Sequence, residues 1–127
     1  MAQILVVDDD PAIRQLLTDV LELEGHGVRV AADGLAAMSA FEALRPDCVV
    51  LDLMMPGLDG YGVLRGIRSR DEEPVPVIML TAAADRDSAA RAWVDGADYY
   101  VAKPFVPDDV LDLVHRLLHE GPVAGAV

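Results

Sequence analysis

Five polar side chains, Asp8, Asp9, Asp52, Thr81 and Lys103, each come at or just past the end of a short apolar run. Asp8 and Asp9 end Ile4-Leu5-Val6-Val7, Asp52 ends Cys48-Val49-Val50-Leu51, Thr81 ends the run from Pro76 to Leu80, and Lys103 follows Tyr99-Tyr100-Val101. Three carboxylates drawn together repel one another, so the cluster is costly unless positive charge sits among them. A set of oxygen ligands without nitrogen or sulfur suits a hard cation, Mg²⁺ or Mn²⁺. A carboxylate beside such an ion can attack phosphorus and form an acyl phosphate. The cation and a lysine ammonium would neutralise the phosphoryl oxygens, and a hydroxyl would hydrogen-bond one of them. On this reading Asp52 is the nucleophile. Lys103 is the only lysine among ten lysine and arginine residues, so the chain's one compact ammonium stands at this place.

These residues need elements that bring them together. Ile4–Val7 reads as a strand, and Asp10-Pro11 supplies an N-cap and a proline at the first helical position. Ile13, Leu16, Leu17, Val20 and Leu21 then recur on one helical face, and Gly25 stands where a left-handed stop belongs. Val28-Arg29-Val30 is a second strand. A helix opening at Asp33-Gly34 carries Ala37, Ala40, Phe41 and Leu44 on one face and closes at Pro46. Cys48–Leu51 is a third strand, and Val63, Leu64 and Ile67 mark a short third helix. Pro76–Leu80 is a fourth strand, 85–95 a fourth helix stopped by Gly96, and Tyr99–Val101 a fifth strand. Pro107-Asp108-Asp109 opens a last helix with Val110, Leu113, Val114, Leu117 and Leu118 inward. Strand and helix alternating five times imply an α/β fold, a parallel sheet covered on both faces. In such sheets ligands bind at the carboxyl ends of the strands, where all five polar residues fall.

Composition narrows the function classes. A chain of 127 residues, 53% hydrophobic, is expected to pack as one domain without long disorder. Its apolar runs fall far short of a membrane span and no basic-then-apolar leader opens it, so a soluble cytoplasmic protein is expected. The lone Cys48, set in an apolar run, reads as a buried core thiol. A net charge of −12 repels phosphate backbones, so direct nucleic-acid binding is not expected, whereas a cation or a basic partner surface is.

Four segments, VVDDD (6–10), VVLDLMMPGLDG (49–60), LTA (80–82) and GADYYVAKPF (96–105), together resemble a two-component response-regulator receiver domain over residues 3–120. The resemblance implies a flavodoxin-like (βα)5 three-layer sandwich with strand order 2-1-3-4-5. It implies a receiver domain over 1–120 with 121–127 as a flexible tail or the start of a linker. Asp52 would be the phosphoacceptor, taking a phosphoryl group from the phosphohistidine of a sensor histidine kinase or phosphotransfer protein. Asp9 and Asp52 would ligate Mg²⁺ (or Mn²⁺), joined by the backbone carbonyl of Met54 and by Asp8 through water. Lys103 would bridge to the phosphoryl group, with Lys103-Pro104 a cis peptide. Thr81 would be the switch hydroxyl and Tyr100 the aromatic whose rotamer follows it. Output would pass through the fourth helix, the fifth strand and the last helix.

Departures from the family's pattern add expectations. Met54 and Ala83 are apolar where some relatives carry polar groups that position a hydrolytic water, so the aspartyl phosphate should last minutes or longer. Met54 also separates the chain from haloacid-dehalogenase-like phosphatases, which place a second Asp two residues after the nucleophile; no turnover of an external substrate is expected. Ala89, Leu113 and Tyr99 stand where receivers of winged-helix regulators usually carry the charges that latch a dimer, so a monomer or weak homodimer is expected. Ala90, Trp93, Tyr99 and Leu111 would instead offer an apolar partner surface. The alternative reading is a receiver-like interaction module that switches without phosphate.

Overall fold

Each apolar run becomes a strand of one parallel sheet. In the computed structural model, which describes residues 2–69, 74–82 and 96–121, these are β1 (Gln3–Val7), β2 (Gly27–Ala31), β3 (Cys48–Asp52), β4 (Val77–Ala82) and β5 (Tyr99–Lys103). Their order is β2-β1-β3-β4-β5, all pairs parallel. The runs are continuously apolar because both faces are covered. Leu5, Val7, Val49, Leu51, Val77 and Met79 face a core shared with α2 (Gly34–Ala43) and α3 (Gly60–Arg68). The alternate residues Ile4, Val6, Cys48, Val50, Ile78 and Leu80 face α1 (Pro11–Leu23) and the C-terminal helix (Pro107–Glu120). Burial also pushes the Cys48 thiol up to about 12, so it is an inert core group.

Local sequence starts and stops the helices that follow β1, β2 and β3. The carboxylates of Asp10, Asp33 and Asp59 accept the backbone N–H of Ala12, Ala36 and Gly62 at 2.9, 2.8 and 3.0 Å. Each satisfies a donor that has no partner within its helix, a contribution of about 1 kcal/mol apiece. Gly25, at φ 89°, turns the chain from α1 into β2 as anticipated.

Several element boundaries differ from the sequence reading. β3 includes Asp52, β4 runs on through Thr81 to Ala82, and β5 reaches Lys103, because main-chain pairing continues past the last apolar side chain. Leu44 is 53% exposed as the C-cap of α2, where the helical path that would turn it inward has ended. Leu16 is 40% exposed, leaving Leu17 and Leu21 as the fully buried residues of α1. The helix expected over 85–95 and the tail from 122 onward lie outside the described residues. None of the helices among the described residues is long and apolar enough to cross a membrane.

Candidate functional site

Register brings the carboxylates together. Val7 pairs with Leu51, so the residues that follow them, Asp8 and Asp52, stand side by side at the carboxyl end of β1 and β3. Leu80 pairs with Asp52 and Ala82 with Lys103, which brings Thr81 and the lysine to the same edge. The five residues lie between 8 and 103 in sequence and end on four neighbouring strands of one sheet.

Asp8 is wholly buried. Its Oδ2 meets Lys103 Nζ at 2.9 Å, and its Oδ1 accepts the Asp10 N–H at 2.9 Å. Arg14, one turn into α1, donates from Nη1 to the Asp8 carbonyl at 2.9 Å and so ties the end of β1 to the helix. Asp52 Oδ1 lies 3.3 Å from Lys103 Nζ and accepts the Met54 N–H at 3.3 Å. Asp9 is exposed beside them. Thr81 Oγ1 is buried and has no hydrogen-bond partner among the described residues. The peptide between Lys103 and Pro104 is cis.

Two glycines shape the loop beyond Asp52. Gly57 turns at φ 75°, and a Cβ on Gly60 would overlap the Asp52 carbonyl oxygen. The chain therefore folds back tightly onto the end of β3, with Gly60 N–H bonded to the Leu53 carbonyl at 3.0 Å. Met54 projects outward, 63% exposed, while Asp52 itself is only 3% exposed. The Lys103 side chain reaches across to Asp52 from β5.

The electrostatics follow from this crowding. Burial, and then the neighbouring Asp8 charge, push the Asp52 carboxyl up to about 6, against the opposing pull of Lys103 and the Met54 N–H. Burial disfavours the Lys103 ammonium, but its hydrogen bond to Asp8 and the charges of Asp52 and Asp8 outweigh that and raise its pKa. Among the described residues one ammonium thus serves two carboxylates and leaves the cluster short of positive charge. Asp8, Asp9 and Asp52 can each bring a carboxylate oxygen within 4.8 Å of the others, an all-oxygen donor set that fits a hard divalent cation.

Residues 4–115 match the response regulator receiver domain family. The chain belongs to that family. It is 45% identical over 116 residues to the DNA-binding response regulator MtrA of Mycolicibacterium smegmatis, covering 91% of this chain and 50% of that protein. The domain therefore spans about half the length of the curated relatives it matches. Among solved structures it resembles the Francisella response regulator 1452 receiver domain, with a TM-score of 0.87, 32% identity, and coverage of 94% and 98% of the two chains. It also resembles the Vibrio cholerae chemotaxis protein CheY4, with a TM-score of 0.82, 30% identity, and coverage of 91% and 98%. The flavodoxin-like fold and the role as a receiver domain of two-component response regulators are thereby those expected from the motifs.

Within the receiver domain the remaining expected residues are more dispersed. Tyr100 is half-buried on β5, one position after Tyr99. Tyr99 and Leu111 are also half-buried and pack against the core under α1 and the C-terminal helix. Ala90 and Trp93, the other two residues of the expected partner surface, lie outside the described residues, as do Ala83 and Ala89. Sequence reasoning missed Arg14 and Gly60. Arg14 had a usable signal, an arginine one turn past an acidic strand end; the role of Gly60 depends on how closely the loop returns to β3.

Proposed function

We propose that Asp52 is the phosphoacceptor of this receiver domain, taking a phosphoryl group from the phosphohistidine of a sensor histidine kinase or phosphotransfer protein. The observation that carries the reading is Lys103 Nζ lying 2.9 Å from Asp8 Oδ2 and 3.3 Å from Asp52 Oδ1 at the carboxyl edge of the sheet. In the transfer, a P–O bond forms to an Asp52 carboxylate oxygen as the P–N bond to the donor histidine breaks, and the departing imidazole takes up a proton. Lys103, swinging from Asp8 toward the new phosphoryl oxygens, offsets their charge. The buried Thr81 hydroxyl, without a partner among the described residues, then has an acceptor to donate to, which gives the switch its driving force. Tyr100 is the aromatic that follows Thr81.

Asp9 and Asp52, the Met54 carbonyl, and Asp8 through water are the groups that would hold Mg²⁺ or Mn²⁺. When bound, such an ion supplies the positive charge that three carboxylates and a phosphoryl group lack. The exposed Met54 side chain next to Asp52 offers no polar group to orient a hydrolytic water, which favours slow loss of the phosphate and no turnover of an external substrate. Residues 1–120 form the receiver unit, and 121–127 a tail or linker. It acts in the cytoplasm as a monomer or weak homodimer, without contacting nucleic acid itself, and signals through a surface including Ala90, Trp93, Tyr99 and Leu111. The DNA binding named for the Mycolicibacterium relative belongs to that longer protein.

Incubation with acetyl phosphate and Mg²⁺ tests the reading by intact mass. Wild type should gain one phosphoryl group and Asp52→Ala none; an unmodified wild type would instead favour a module that switches without phosphate.

A further inference from the structure

All three histidines of the chain, His26, His115 and His119, line one open groove of about 580 Å³, together with Glu24 and Asp47. The groove lies at the amino ends of β1, β2 and β3, because His26 directly precedes β2 and Asp47 directly precedes β3. It is separated from Asp52 by the length of the strands, roughly 17 Å. His115 and His119 are four residues apart on the C-terminal helix and therefore share a face. His26 Nε2 and His115 Nε2 are 3.1 Å apart, with ring centroids at 5.2 Å and planes tilted by 56°.

Two imidazole nitrogens bound to one tetrahedral Zn²⁺ at about 2.0–2.1 Å stand roughly 3.3 Å apart. The observed separation is within a few tenths of that value. The two Nε2 atoms point at one another, so without an ion the rings are held by a shared N–H···N bond. We propose that this groove is a second metal site, distinct from the acid cluster, taking a borderline divalent ion such as Zn²⁺ through His26 Nε2 and His115 Nε2, with a third ligand from His119, Glu24 or Asp47.

The ion replaces the hydrogen between the rings, and His26 keeps its hydrogen on Nδ1. That tautomer gives up the hydrogen bond from the Ala2 N–H to His26 Nδ1, which is long at 3.4 Å. Among the described residues only Asp8, Asp9 and Asp52 already bring three ligand atoms within 4.8 Å. The third ligand here comes from rotation of a side chain, and Glu24, Asp47 and His119 are all exposed and able to turn. Asp47 holds the Gln3 N–H through Oδ2 at 2.7 Å, which leaves its Oδ1 available among the described residues. Imidazole ligands favour Zn²⁺-like ions whereas the acid cluster favours Mg²⁺, so the two sites differ in the ions they select. A metal in the groove would clamp the turn between α1 and β2 to the C-terminal helix.

Titration with Co²⁺ in excess Mg²⁺, followed by visible absorption, tests the proposal on wild type, Asp52→Asn, His26→Gln and His115→Gln. Nitrogen-ligated Co²⁺ bands should appear in wild type and Asp52→Asn, with binding weakened about tenfold or more in either histidine variant. Affinity that survives both histidine substitutions, or that falls only with Asp52→Asn, would overturn the site. Imidazole ¹⁵N spectra of wild type provide a check free of substitutions. Zn²⁺ should shift Nε2 of His26 and His115, and unmoved signals at saturating Zn²⁺ would equally overturn it.

Discussion

Two buried clusters of charge sit at opposite ends of the sheet, and only one of them is complete. Arg68 donates from Nε to the Gly96 carbonyl at 3.0 Å, from Nη1 to the Val75 carbonyl at 2.6 Å and from Nη2 to Asp98 Oδ2 at 3.1 Å. Asp98 Oδ2 also accepts the Val77 N–H at 2.8 Å, and the Asp98 N–H returns to the Val77 carbonyl at 2.9 Å. Arg68 there faces Asp98, with fixed partners around both. At the carboxyl edge one cation faces two carboxylates, a third lies alongside, and the Thr81 hydroxyl has no partner among the described residues. A satisfied buried ion pair holds the entries to β4 and β5 in place. An under-satisfied one is a site waiting for charge and for acceptors. The difference between structure and function here is a difference in polar satisfaction, not in residue type.

The comparison can be broken most severely at the complete cluster. Asp98→Ala should lower folding stability by about 3 kcal/mol, because it strands a buried guanidinium and the Val77 N–H. Denaturant unfolding should give this loss equally with and without Mg²⁺.

The incomplete cluster should respond in the opposite direction. Asp52 has its carboxyl raised from 3.8 to about 6 in the fold, so the folded state binds the proton more tightly than the unfolded chain does. Its contribution to stability is therefore fully present below the unfolded value and is lost as pH rises through about 6. Without Mg²⁺ at about pH 8, Asp52→Asn should be more stable than wild type, by on the order of 2 kcal/mol. That advantage should fade on acidification toward about pH 4, where the wild-type carboxyl is protonated in the folded state and increasingly so in the unfolded one. A variant no more stable than wild type at high pH would show that Lys103 fully neutralises the pair.

Thr81→Val should have the smallest effect. Among the described residues the resting hydroxyl has no hydrogen bond to lose, so thermal unfolding should move by less than about 1 kcal/mol in either direction. A larger loss would mean that the hydroxyl is already engaged before phosphorylation.

How much of this was readable in advance varies with the range of the interaction. The strands were legible because burial on two faces leaves continuous apolar runs such as Cys48–Leu51, and α1 because its capping Asp10 and Pro11 are adjacent in sequence. Their ends were less so. Thr81 and Lys103 lie within β4 and β5 because backbone pairing takes no account of side-chain polarity. Leu44 carried the right spacing for the α2 face, yet the helix ended one residue too soon to turn it inward. The strand order came from the resemblance of four motifs; periodicity alone is silent on it. The Arg68 network escaped notice because its partners lie up to 30 residues away, and the His26–His115 pair because 89 residues separate its members.

By itself the sequence determined which chemical groups reach the carboxyl edge. In a parallel α/β pattern, a polar residue ending a strand has only that edge to occupy, so Asp8, Asp9, Asp52, Thr81 and Lys103 were placed before any coordinate. The tertiary structure decided how those groups are partnered. Lys103 rests nearer Asp8 than Asp52, Asp52 is almost wholly covered, and Thr81 is left without an acceptor among the described residues. Coulomb attraction and desolvation depend on ångström distances through space, and local sequence carries no measure of them.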